Sequence, residues 1–232
     1  MLDIIKRKGK WNVLLLGFII LIIAVIFYQS VSNWQESKIS PEDLFISAVE
    51  NTLNSTSFRY SINTELGREN AASKVMGARI EPDRVCVQGE IQNTSFEIIQ
   101  IGDTTYFKES ITDSWLTIEG NKLANAELFT MELNPLSMFF FKEIIDIDYK
   151  GLEKVGGDKL VLLEFKPVVQ NELLHRYYND FFYQVWVDPS EKFIRKAVIE
   201  ATGAEGENNR TVLSVELWDY NKQMEINPPD GH

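Results

Sequence analysis

Eighteen consecutive residues, Trp11 to Tyr28 (WNVLLLGFIILIIAVIFY), carry no charge and are almost wholly apolar. With its ends included, such a run reaches the roughly 20 residues a helix needs to cross the hydrocarbon core of a bilayer. Lys6, Arg7, Lys8 and Lys10 stand immediately before it, and basic residues on one flank keep that flank in the cytoplasm. Trp11, Phe27 and Tyr28 fall where interfacial aromatic belts occur. The expectation is a cell-membrane, single-pass protein: residues 1–10 a cytoplasmic tail, 11–29 a transmembrane helix, 30–39 a tether and 40–232 an extracytoplasmic domain. Ser30-Val31-Ser32 loosely imitates a signal-peptide cleavage site, but the apolar run is longer than a usual signal core, so an uncleaved anchor is expected. No cysteine stands just after the run, in Tyr28-Gln29-Ser30-Val31-Ser32-Asn33, where a lipid would be attached, so the helix itself is expected to be the anchor.

Charge narrows the partners. The net charge is -11, and subtracting the +3 of the first thirty residues leaves about -14 for the remainder. So acidic a domain is a poor match for nucleic acid and does not lie on anionic lipid through charge. Cys86 is the single cysteine; it excludes an internal disulfide and any multi-cysteine metal site, and reads as a small apolar side chain in a strand. His175 and His232 are the only histidines, too few for Ser-His-Asp or Cys-His chemistry. No phosphate-binding glycine loop or H-E-x-x-H pattern occurs. Asp146 and Asp148 are close enough in sequence to suggest a paired-carboxylate site, yet spacing of two in a strand places both on its solvated face. The expectation is no catalytic residue, no metal and no cofactor, hence no enzyme.

Beyond the tether, Ser40-Pro41-Glu42-Asp43 combines a capping serine, a proline at the first helical position and two acids in the first turn. Leu44, Phe45, Ala48, Val49 and Leu53 then share one face, predicting a helix to about Asn54. Phe58, Tyr60, Ile62, Thr64 and Leu66 alternate with polar residues, the period of a strand buried on one side. Strands are expected over 74–80, 84–88, 95–101, 104–108 and 115–118, separated by turn residues such as Glu81-Pro82-Asp83 and Gly102-Asp103. A second series is expected over 149–155, 159–166, 181–187, 193–201 and 211–221. Leu173, Leu174, Tyr177 and Tyr178 suggest a helical insert between Pro167 and Asp180.

The middle is unusually apolar. Asn134-Pro135 has the form of a helix start, and Leu128, Phe129, Met131, Leu133, Leu136, Met138, Phe139, Phe140, Phe141, Ile144 and Ile145 crowd residues 121–145. Three consecutive phenylalanines cannot share one helical face, so the predicted helix is either buried on two sides or lines a cavity. A string of one helix, several hairpins, apolar helices and more hairpins implies a long antiparallel sheet with helices on one side. A sheet of about ten strands must twist and curl. The expected class is α+β.

In their order, several short elements resemble the superfamily of the lipoprotein carriers LolA and LolB and the lipid-binding lipoproteins LppX and LprG. They are Ser57-Phe58-Arg59-Tyr60 after an opening helix, Thr105-Tyr106-Phe107 before Trp115, and Asn134-Pro135-Leu136 opening the apolar segment. Gly151-Leu152-Glu153 before Gly156-Gly157, Val185-Trp186-Val187-Asp188 leading to Ile194-Arg195-Lys196, and Trp218-Asp219-Tyr220-Asn221 before Pro228-Pro229 complete the series. The resemblance implies an incomplete β-barrel, a strongly curved antiparallel sheet closed by a few helices on its concave side, over a cavity that accepts acyl chains. It departs from that superfamily in keeping a membrane helix in place of a lipid-modified cysteine, which argues against a shuttle that leaves the membrane.

The leading expectation is therefore a membrane-anchored module, a carrier or sensor, binding a lipid or other apolar ligand. Its cavity candidates are Leu136, Phe139, Phe140, Ile144, Phe129 and Leu133. The alternative is a protein-interaction module of a cell-envelope complex, with the same fold but a filled core. Burying three phenylalanines would itself stabilise such a core by roughly 1.5 to 3 kcal/mol each.

Overall fold

In a computed structural model of the chain, the described residues are 40–66, 71–91, 94–108, 114–120, 133–170, 178–203 and 210–230. Among them no helix is long and apolar enough to cross a membrane; the apolar segment 11–29 lies outside the described residues. One α-helix, α1 (Pro41–Leu53), precedes eleven strands: β1 (Ser57–Leu66), β2 (Ala71–Ile80), β3 (Arg84–Ile91), β4 (Thr94–Ile101), β5 (Thr104–Lys108), β6 (Trp115–Glu119), β7 (Phe141–Val155), β8 (Asp158–Val169), β9 (Tyr178–Val187), β10 (Ile194–Gly203) and β11 (Arg210–Trp218). All belong to one antiparallel sheet in the order β6-β5-β4-β3-β2-β1-β11-β10-β9-β8-β7. Two meanders, β1 to β6 and β7 to β11, are thus joined where the first strand pairs with the last, from Arg59 opposite Trp218 to Leu66 opposite Thr211. The sheet does not close, because β6 and β7, neighbours in sequence, form its opposite edges.

One face carries the core. Phe58, Tyr60 and Ile62 on β1, Leu213, Val215 and Leu217 on β11, and Phe181, Tyr183, Val185 and Val187 on β9 are buried at alternate positions, the pattern of an antiparallel sheet with one covered side. Tyr60 sits opposite Gly77, and a Cβ there would stand 2.7 Å from Tyr60 Cε1 with other ring atoms closer still. Gly77 is therefore the space the tyrosine ring occupies. The opposite face has its own small cluster, Leu160, Leu162 and Trp186 with Val155 and Val198 against it. Trp186 Nε1 donates to Glu153 (2.8 Å), and the Lys196 ammonium lies 5.0 Å from the indole centroid. Cys86 is half-buried on β3, and burial pushes its thiol above the usual range.

Helix α1 buries Leu44, Phe45, Ala48 and Thr52 and packs on β7, β9 and β10. Its last turn is pinned by hydrogen bonds: Asn51 Nδ2 donates to the Lys192 carbonyl (3.0 Å), and the Ile194 amide donates to Thr52 Oγ1 (3.1 Å). The chain end is tied down beside it. Tyr220 donates to the Ile194 carbonyl (2.6 Å) and stacks on Phe193 at 4.3 Å, while the Thr56 amide donates to Asn221 Oδ1 (2.8 Å).

Three expectations are corrected. Among the described residues the domain is mostly β, and α1 is the one α-helix described over its full length; the further helices expected within 121–133 and 167–180 fall largely outside the described residues. The apolar helix from Asn134 is only a 3-10 turn, Pro135–Phe139, after which Phe141 opens the longest strand of the sheet. The cause is irregular pairing: register shifts between Phe141 and Glu143 and between Ile144 and Ile147 leave the half-buried positions at 141, 144 and 147. A spacing of three imitates a helix and hides the strand period. Finally, Tyr178 begins β9 rather than ending a helix; Leu173, Leu174 and Tyr177, like Phe129 and His175, lie outside the described residues.

The Tyr60 and Gly77 arrangement makes a direct prediction. Gly77→Ala forces the ring off its rotamer and should cost about 1 to 3 kcal/mol, read as a lower urea midpoint at unchanged slope.

Candidate functional site

Between α1 and the edge strand β7 runs a groove of about 500 Å³, within the range of small-molecule sites. The helix wall is Phe45, Ile46, Val49 and Leu53; the other wall is Phe139, Phe140, Phe141, Ile144, Ile145 and Ile147. Helix α1 is thus apolar on two faces, one packed on the sheet and one, through Ile46, Val49 and Leu53, turned to the groove. Ile46 is 54% exposed, Phe140 45% and Ile145 72%. Among the described residues these are three of the six exposed large hydrophobics, so the water-facing apolar surface concentrates here.

An aromatic cluster underlies the groove. Phe45 meets Phe165 edge to face at 4.7 Å, Phe141 meets Phe165 and Tyr183 in the same manner at 5.6 and 5.3 Å, and Phe165 stacks on Tyr183 at 5.5 Å. Such pairs contribute about 0.5 to 1.5 kcal/mol each beyond their area. The buried Tyr183 hydroxyl donates to the Met138 carbonyl (3.0 Å), which fixes the 3-10 turn and hence Phe139 and Phe140 in the groove wall. Burial drives the Tyr183 hydroxyl pKa far upward, so it remains a donor at every physiological pH.

The charged residues that line the groove are Glu42, Glu50, Glu143 and Asp146 against Lys142, all exposed. A smaller cleft of about 340 Å³ adjoins it, bounded by Ile145, Asp146, Asp148, Glu164, Phe165, Lys166 and Phe182. Two of its carboxylates, Asp148 and Glu164, are engaged. Lys150 pairs with Glu164 (3.1 Å) and Asp148 (3.4 Å), and the Glu164 carboxyl is held low, first by the Gln184 amide (2.8 Å) and then by Lys150. Among the described residues no group of three or more His, Cys, Asp or Glu is placed to hold a metal.

Of the residues singled out in the sequence, Phe139, Phe140 and Ile144 border the groove. Leu133 and Leu136 are buried and do not line it, and Phe129 lies outside the described residues. Ile46 and the strand residues Ile145 and Ile147 were not among the candidates. Ile46 had a signal, since Ile46, Val49 and Leu53 are spaced as a second stripe on the helix.

No family model and no curated protein matches the sequence. Solved structures match the fold. The lipoprotein LppX from Mycobacterium tuberculosis aligns with a TM-score of 0.56 at 15% identity, over 81% of this chain and 100% of its own. LprF from Mycobacterium bovis aligns with the same score at 11% identity, over 83% and 99%. A LolA superfamily protein from Nitrosomonas europaea aligns more loosely, with a TM-score of 0.35 at 12% identity, over 83% and 96%. The chain therefore has the open, LppX-like antiparallel fold.

Tyr183→Phe removes a buried donor and leaves the Met138 carbonyl unsatisfied. It should cost about 1 to 3 kcal/mol, and hydrogen exchange should rise first at residues 136–140.

Proposed function

We propose that this protein is a membrane-tethered, extracytoplasmic module that binds a lipid or similar apolar molecule in the groove between α1 and β7. The observation that carries this reading is the groove itself: ten apolar side chains line it, and three of the most exposed hydrophobics among the described residues are gathered in it. Large exposed apolar patches mark interaction sites. The uncharged run 11–28, with its preceding basic residues, supports an anchor with the N-terminus in the cytoplasm and the sheet outside. LppX, of similar fold, is a lipoprotein; in this chain residues 11–29 take the place of a lipid anchor.

Binding rather than catalysis is the reading the lining supports. Among the described residues that line the groove, apart from exposed carboxylates and one lysine, there is no hydroxyl, thiol or imidazole side chain, and so none of those nucleophiles.

Residues 36–232 contain the whole compact unit Pro41–His232. Expressed without the apolar segment and purified without detergent, they should retain an extractable lipid visible by native mass spectrometry. Phe140→Asp places a carboxylate in the apolar wall, and should lower that retention roughly tenfold or more while circular dichroism stays unchanged. A folded Phe140→Asp that carries ligand normally removes the groove from consideration. An empty wild-type protein that also refuses apolar dyes favours the protein-interaction module.

A further inference from the structure

Resting on the groove as the binding site, we propose that its occupant is a single-chain amphiphile whose head group carries no net negative charge, a cationic or zwitterionic head being the best match. Two observations lead there. The first is size. At roughly 30 Å³ for a group the size of a water molecule, 500 Å³ accommodates on the order of sixteen methylene-sized groups, which is one long acyl chain rather than two. The second is charge. The groove's sides are apolar, whereas its charged lining residues are Glu42, Glu50, Glu143 and Asp146 with Lys142 as the one cation among the described residues. Even with Glu42 left aside, since it has an interaction of its own, three carboxylates face one ammonium.

Glu50 lies on α1 among Ile46, Val49 and Leu53, and Glu143 and Asp146 flank Ile144 and Ile145 on β7, so acids stand on both walls. A chain laid between Ile46 and Ile145 brings its polar end among these carboxylates. An anionic head would add like charge to an already negative rim, and each exposed pair shifts affinity by roughly 1.4- to fivefold. A trimethylammonium or phosphocholine head instead supplies the missing cation.

Strand addition by a basic peptide would use the same charge complementarity, but the edge is badly shaped for it. Strand β7 shifts register three times along its length, and bulges bend a strand away from regular pairing. Lys142, Glu143, Asp146, Asp148 and Lys150 also stud it, which hinders docking of another strand.

The test uses the full chain in phosphatidylcholine vesicles with three photoactivatable amphiphiles of one sixteen-carbon chain, bearing trimethylammonium, phosphocholine or sulfate heads. Labelled peptides are mapped by mass spectrometry. Labelling within 41–53 and 139–147 should favour the ammonium and phosphocholine probes over sulfate by roughly threefold or more, and about 0.5 M salt should narrow the gap. Glu143→Lys with Asp146→Lys should reverse the order, and the near-isosteric Glu143→Gln with Asp146→Asn should bring the probes towards parity, which guards against a folding artefact. Groove labelling as strong with sulfate as with ammonium overturns the head-group assignment and leaves the groove standing. A two-chain phosphocholine probe that labels more strongly than the single-chain one overturns the size assignment. No groove labelling by any probe overturns the binding site itself.

Discussion

The pairing of the first strand with the last governs this molecule. Once β1 lies against β11 along its length, each meander must grow outward from that seam, and the middle of the sequence is split between the two edges. The connection from Gly120 to Phe140 then has to pass from one edge to the other. Coiling of so wide a sheet shortens the path. Part of the crossing chain is the buried stretch with Leu133, Leu136 and Met138, so the connection also serves as core.

The same seam decides where α1 can lie. The helix leads into β1 through a short turn, so its C-terminal end is held near the middle of the sheet. Thr52 and Asn51 fasten it to the β9–β10 corner. From there its body lies over β9, β10 and β7, leaving its second apolar stripe beside the strand edge. Tyr183 works from the opposite side: it stacks beneath the aromatic cluster and holds the 3-10 turn by its carbonyl. The groove is thus the gap left between two elements that meet through Phe45 and Phe141 and are each also fastened elsewhere.

How much of this the residues disclosed depends on periodicity. Strands such as β9 and β10, buried at alternate positions, were legible because a regular ladder writes its period of two into the sequence. Ser40-Pro41-Glu42-Asp43 announced α1 for an equally local reason, the needs of a helix N-terminus. The first half of β7 was not legible, although 149–155 reads as a strand, because the register shifts between Phe141 and Ile147 replace that period with one near three. The apolar character of Phe139, Phe140 and Ile144 did point to the groove region, but its other wall required knowing that α1 folds back beside β7. That is a consequence of the β1 and β11 seam, which no local pattern carries.

An open edge ordinarily invites another strand, and a protein that leaves one exposed must make it unattractive. Here the bulges and charges of β7 do so, yet Phe140 and Ile145 remain in water beside Ile46. Those two features oppose each other if the edge is only being protected, because exposed isoleucine and phenylalanine promote the association that the bulges and charges discourage. They agree if the edge is meant to exclude strands and admit something without a backbone. A hydrocarbon chain needs no hydrogen-bond ladder, so irregular pairing costs it nothing, and it is retained by apolar area alone. The rim carboxylates then act only on what the chain carries at its end.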